Sequence, residues 1–244
     1  SCFDTGIDRY IPNLVNLLFF LCAHNAFFVF IVFIVSLLLI LLVLLTYNCF
    51  IVFFLMFTAC QTKKSHINSN SEYQKNQNEF FKDASKSPLK SKDLKDFKGL
   101  NFFSIDSSYM VKAKLFRTPN TSYFEMKTTT ERITRERVFG VVSFSINNQP
   151  FELNVYQGES TNDEDVDVDY LFLPFLDESN GLTTYGGGRY IDLYIPVGDT
   201  LILDFNKAYN PFCAYNDKYS CPIVPRENYI PLNVMAGVKS FKNY

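Results

Sequence analysis

Residues 138–156 read VFGVVSFSINNQPFELNVY. Val138 to Ile146 and Phe151 to Tyr156 are rich in β-branched and aromatic residues, and they flank Asn147-Asn148-Gln149-Pro150. That pattern predicts two antiparallel strands joined by a four-residue connection. A second pair of alternating segments, Tyr190 to Ile195 and Thr200 to Phe205, flanks Pro196-Val197-Gly198-Asp199 and predicts a second hairpin. Met110, Lys114 and Phe116 mark a further alternating segment. Short strands with turn residues between them indicate a mainly β domain, an antiparallel sandwich or open barrel. Ahead of it, Tyr73, Phe80 and Phe81 recur at helical spacing. They predict a short helix from Ser71, its cap, to about Ala84, stopped near Pro88.

The charges are unevenly placed. From Ile11 to Ala59, 49 residues pass without Asp, Glu, Lys or Arg. A helix crosses a bilayer with about 20 apolar residues, so the run is long enough for two spans with a turn near Thr46–Asn48. It ends in Met56-Phe57-Thr58-Ala59-Cys60, small residues before a cysteine, followed by polar Gln61-Thr62-Lys63-Lys64. This resembles the lipobox of bacterial lipoproteins, in which the cysteine receives a diacylglycerol and the preceding peptide is removed. Each buried CH₂ of such an anchor contributes about 0.8 kcal/mol. The chain begins with Ser1, and only Arg9 stands as a basic residue ahead of the run. Part of residues 1–48 is therefore expected to lie upstream of the true start, with a multi-span anchor as the alternative. The organisation expected is a leader or anchor over 1–60, a flexible basic tether over 61–71 and a globular domain over 72–244. Residues 61–244 carry 22 basic and 23 acidic groups, a balance that gives no footing for nucleic acid.

The two histidines, His24 and His66, both precede the domain. Ser-His-Asp catalysis, Cys-His catalysis and His-ligated zinc are thereby excluded from residues 71–244. Asp163-Glu164-Asp165-Val166-Asp167-Val168-Asp169 lacks the Gly and the closing Glu of a calcium loop and reads as a solvated acidic loop. No cofactor and no metal site is expected.

The chemistry concentrates between Thr183 and Asn228. Gly186-Gly187-Gly188 before Arg189 fits a tight turn or a backbone nest for an anion, and Arg189 is expected to pair with Asp204 or Asp192. Asp192 and Asp204, on adjacent strands of the second hairpin, are expected within reach of each other. With Glu227, they are the candidates for a general acid–base pair; a buried polar network around Arg189 is the other reading. The binding residues proposed from sequence are Arg189, Asp192, Asp204, Asn206, Tyr209, Asn210 and Tyr185. Cys213 and Cys221 are the only thiols of the domain and are expected to bridge. Closure of so short a loop contributes about 2–3 kcal/mol.

These residues resemble the signature of domain of unknown function 1684, an uncharacterised bacterial family. The resemblance runs over about residues 71–242. It takes in Glu72 to Phe81, Ser87-Pro88-Leu89, Phe97-Lys98-Gly99-Leu100, Phe172 to Asp177, Thr184-Tyr185, Gly188-Arg189-Tyr190, Asp204-Phe205-Asn206, Ala208 to Pro211, Cys213-Ala214-Tyr215, Cys221-Pro222 and Glu227-Asn228. It departs at Ala236-Gly237-Val238-Lys239, where the family tends to Ala-Gly-Glu-Lys. The resemblance implies a lipoprotein leader, in agreement with Cys60, and no activity or substrate. The sequence thus points to an envelope lipoprotein facing the periplasm or exterior. It would be held at a membrane by its lipid or N-terminal helix and bind a glycan or other small molecule. A carboxylate-dependent hydrolase of glycan or peptidoglycan-like substrates and an integral protein with two spans are the alternatives. Gln61 after the cysteine leans toward an outer membrane.

Overall fold

A computed structural model describes residues 34–51, 69–159 and 169–241 of the 244-residue chain. Cys60, both histidines, residues 61–68 of the tether and residues 163–168 of the acidic run lie outside the described residues. The chain divides into two compact units, Ser1–Thr62 and Lys63–Tyr244.

In the first unit, Ile34–Ile51 is one uninterrupted apolar helix. At 1.5 Å per residue it is about 27 Å long, close to the hydrocarbon thickness of a bilayer. The turn expected near Thr46–Asn48 is absent from it. Thr46 Oγ1 donates to the Val43 carbonyl and Asn48 Nδ2 to that of Leu44, both at 2.9 Å. The two polar side chains are satisfied by the helix's own backbone, so they do not break it.

The second unit is built on an eight-stranded sheet curled into a half-barrel. Its strands are β1 (Met110–Arg117), β2 (Phe124–Lys127), β3 (Ile133–Ile146), β4 (Gln149–Gly158), β5 (Tyr170–Asp177), β6 (Arg189–Tyr194), β7 (Thr200–Asp204) and β8 (Tyr229–Ile230). The order is β6-β5-β4-β3-β1-β7, with β2 beside β3 and β8 parallel to β5. The expected mainly β, open-barrel class is what forms.

The β3–β4 hairpin is as expected, but its connection has two residues, not four. Ile146 pairs with Gln149, and Asn147 and Asn148 take φ of 51° and 64°, a left-handed turn whose twist matches the strands. Pro150 sits inside β4 opposite Ser145. It is tolerated because β4 pairs with β5 only at Tyr156–Phe172, so the missing N–H of Pro150 faces an unpaired edge.

The second hairpin does not form, although both of its strands do. β6 pairs with β5 and β7 pairs with β1, which puts them on opposite edges of the sheet. The connection between them is caught by β1: Arg117 Nη2 donates to Pro196 O at 2.8 Å, and Leu115 N to Asp199 O at 2.7 Å. Alternation identifies a strand's faces but not its neighbour.

The sheet is buried on both faces near its middle. One face carries the main core: Leu115, Val142, Phe144, Leu153, Leu171, Phe175, Ile191, Leu203 and Phe205. The other face carries Met126, Tyr156, Phe172, Tyr190 and Val224. The ladder shifts between Val138 and Gly140 in β3, so alternate residues exchange faces there and Glu136 and Val138 join the second face. The helix over residues 69–82 begins before Ser71, so that residue is not its cap. A further short helix, Ser91–Lys95, had no periodic signal in five residues. Phe81, Leu89 and Tyr215 form a separate cluster by these helices.

Candidate functional site

Asp192 and Asp204 come together, by a different route from the hairpin. β6 and β7 are the outermost strands of the sheet path, and in the curled sheet residues of both line one cavity of about 320 Å³. Its lining includes Ile191, Asp192 and Leu193 from β6, and Ile202 and Asp204 from β7. Met110, Lys207 and Ser69 complete it. Such a volume is at the small end of ligand pockets, which run ~300–1,000 Å³.

The carboxylates differ in their surroundings. Asp192 is exposed, and its Oδ1 accepts from Tyr209 Oη at 2.6 Å and Tyr170 Oη at 2.8 Å. Burial first, and the Asp192 charge second, push both phenols far above the ordinary tyrosine range, so both remain donors. Asp204 is only 9 % exposed, and its Oδ1 accepts from the backbone N (3.0 Å) and the side-chain Nδ2 (2.9 Å) of Asn206. Lys207 is half-buried and forms no ion pair among the described residues. Its carbonyl accepts from Tyr73 Oη at 2.9 Å, which ties the helix over 69–82 to the cavity wall.

Further polar groups stand on the second face of the sheet, where alternation gave no cue. Burial pushes the Glu136 carboxyl up to about 7, against the Thr134 hydroxyl and the Arg132 charge. Burial also pushes the Tyr156 hydroxyl up to about 12. Tyr156 Oη finds no partner among the described residues. Glu136, Tyr170 and Tyr73 escaped the sequence reading because they belong to no dense polar motif, and Lys207 did so although it follows Asn206 within one. Only the sheet register and the segment crossings bring Tyr170, Tyr73 and Lys207 to Asp192.

Most of the remaining motif is structural. Arg189 does not pair with Asp192 or Asp204; its partner is Asp177, with Nη2–Oδ2 at 2.7 Å and both side chains 0 % exposed. The same guanidinium donates to Val234 O at 2.8 Å and to Ala236 O, and lies 5.2 Å from the Phe175 ring centroid. It closes the C-terminal segment onto β5 and presents no donor to the cavity. The glycines before it form a turn: Gly188 has φ +89° and its N donates to Tyr185 O. Asn206 clamps Asp106, its Oδ1 accepting from Asp106 N and its Nδ2 donating to Asp106 O, each at 2.9 Å. Asn210 Nδ2 donates to Lys239 O at 3.0 Å. Asn228 bridges the divergence of β4 from β5, exchanging bonds with Asn154 N and O and reaching Pro174 O at 2.7 Å. A proline there has no N–H for the ladder. Glu227, beside it in the turn Arg226–Asn228, is exposed and does not line the Asp192–Asp204 cavity.

Cys213 and Cys221 stand as two free thiols, not as the expected bridge. Cys213 N donates to Cys221 Sγ at 3.1 Å, and Cys221 N to Thr129 Oγ1 at 3.1 Å. Hydrogen bonds from Cys221, and then from Thr129 and Tyr185, hold the Cys213 thiol below its ordinary range, against the effect of burial. Tyr185 does not line the Asp192–Asp204 cavity. Among the described residues no three His, Cys, Asp or Glu side chains gather as metal ligands do.

The family model described as "Protein of unknown function (DUF1684)" matches residues 95–239, and the chain belongs to that family. It is also similar to the solution NMR structure of an uncharacterized protein of Haloarcula marismortui, with a TM-score of 0.60 and 28 % identity. That similarity covers 75 % of this chain and 99 % of the other. No curated protein matches the chain.

Proposed function

From membership of a family whose description names no activity, we propose that the chain is a binding protein of the cell envelope. Its apolar helix, or a lipid on Cys60, holds it at a membrane. The β-rich domain takes a small polyhydroxylated ligand, of the size of one or two sugar rings, into the cavity between β6 and β7. The observation that carries this reading is the convergence of Asp192 and Asp204 on one cavity from opposite edges of the sheet. Asp192 is oriented there by two phenols. Carboxylates and a lysine suit an array of hydroxyl donors and acceptors, and Ile191, Leu193, Met110 and Ile202 supply the apolar walls.

The full chain in detergent is titrated calorimetrically with glucose, N-acetylglucosamine and its β-1,4-linked dimer. At least one is expected to bind, and Asp192→Asn to weaken it tenfold or more at unchanged melting temperature. If no saccharide binds, or Asp192→Asn binds as well as wild type, the reading fails. Two carboxylates on one cavity also fit general acid–base hydrolysis. Release of reducing ends from the dimer, abolished in Asp204→Asn, would replace the binding reading with that one. For the anchor, growth with an alkyne fatty acid is expected to label wild type but not Cys60→Ser.

A further inference from the structure

The cavity uses neither thiol. We propose that Cys213 and Cys221 form a reversible peroxide-reactive pair, with Cys213 the attacking sulfur and Cys221 the resolving one. Three observations separate them. Cys213 is half-buried, whereas Cys221 is only 6 % exposed. Cys213 stands against Cys221, whose sulfur accepts from the Cys213 N at 3.1 Å, and hydrogen bonding from Cys221 holds the Cys213 thiol below its ordinary range, the setting that favours a thiolate. Cys221 is pinned: its N donates to Thr129 Oγ1, its carbonyl accepts from Thr129 N at 2.9 Å, and its sulfur accepts from Cys213 N. The Cys221 sulfur thus lies 3.1 Å from the backbone nitrogen of Cys213, and closing the pair needs no large movement of the chain.

The chemistry balances with a hydroperoxide as oxidant. The Cys213 thiolate attacks the peroxide oxygen, the O–O bond breaks, and Cys213 becomes a sulfenic acid as water or an alcohol leaves. The Cys221 sulfur, having given up its proton, then attacks the Cys213 sulfur. The S–O bond breaks, a second water leaves and the disulfide forms. A dithiol reductant returns both thiols.

The full chain is reduced in detergent and exposed to hydrogen peroxide. Free thiols are then alkylated, and the Cys213 and Cys221 peptides are followed by mass spectrometry apart from the other four cysteines. The expected product is the linked 213–221 peptide pair, reversed by dithiothreitol. In Cys221→Ser, a dimedone adduct is expected on Cys213; in Cys213→Ser, Cys221 is expected to stay a thiol. In unoxidised wild type at pH 7, iodoacetamide is expected to label Cys213 at least tenfold faster than Cys221, a readout independent of whether the variants fold. Equal labelling overturns the proposal. So does a dimedone adduct on Cys221 in Cys213→Ser, or a bridge that dithiothreitol opens only after unfolding.

Discussion

Arg189 shows how one residue can look like a binding group and act as a structural one. Its charge is matched by Asp177 and by the carbonyls of Val234 and Ala236, all out of contact with water. Arg189→Ala leaves the Asp177 carboxylate buried without its counter-charge, so a loss of about 3–5 kcal/mol is expected, read as a fall in the urea midpoint. An unchanged midpoint would refute the structural role. Glu136 makes a second prediction. Its folded pKa is raised from 4.5 to about 7, so between these values the folded state holds a proton that the unfolded chain has released. Stability therefore falls as pH rises from about 4.5 to 7 and carries the full cost above that range. Glu136→Gln is expected to flatten this slope and to be more stable than wild type at pH 8, by on the order of 1–2 kcal/mol after screening by solvent. A variant that keeps the wild-type slope places the titration elsewhere.

Among the elements, β5 and β6 show what a periodic reading detects and misses. β6 alternates and was found. β5 is buried on both faces, Leu171, Leu173 and Phe175 on one and Phe172 and Leu176 on the other, so it shows no alternation. The two are joined through Gly188, the residue before β6. At its φ of +89° a Cβ would stand 2.7 Å from Phe175 O and 2.7 Å from Val224 Cγ2. Gly188→Ala is expected to destabilise the domain by about 2 kcal/mol or more, through strain and a clash with backbone that cannot yield. Gly198→Ala, where a Cβ meets nothing within 4 Å, serves as the control. Equal melting temperatures for the two variants would show that the β5–β6 junction is not so constrained.

At the scale of the whole molecule, the chain divides into two compact units at Thr62–Lys63. A protein comprising residues 63–244 is expected to remain soluble without detergent and to melt within a few degrees of the full chain. The full chain is expected to sediment with membranes. A fragment that aggregates, or that melts far below the full chain, would make the N-terminal unit part of the fold.

Composition and local pattern determined a good deal without any structure. The uncharged run specified an apolar helix over Ile34–Ile51, but not the turn expected within it near Thr46–Asn48. Alternation specified β1, β3, β4, β6 and β7, because a pleated strand with one buried face must alternate. The density of polar residues between Thr183 and Asn228 marked a stretch rich in buried hydrogen-bonded side chains, since side chains of that kind need partners when buried. The assignment of partners belonged to the tertiary structure. Strand pairing is decided by contacts between segments far apart in sequence, so β6 and β7, adjacent in the chain, lie on opposite edges of the sheet. Only the curl of that sheet separates the motif into its two kinds of residue. Arg189, Asn206, Asn210 and Asn228 turn inward as fasteners, while Asp192 and Asp204 line one cavity.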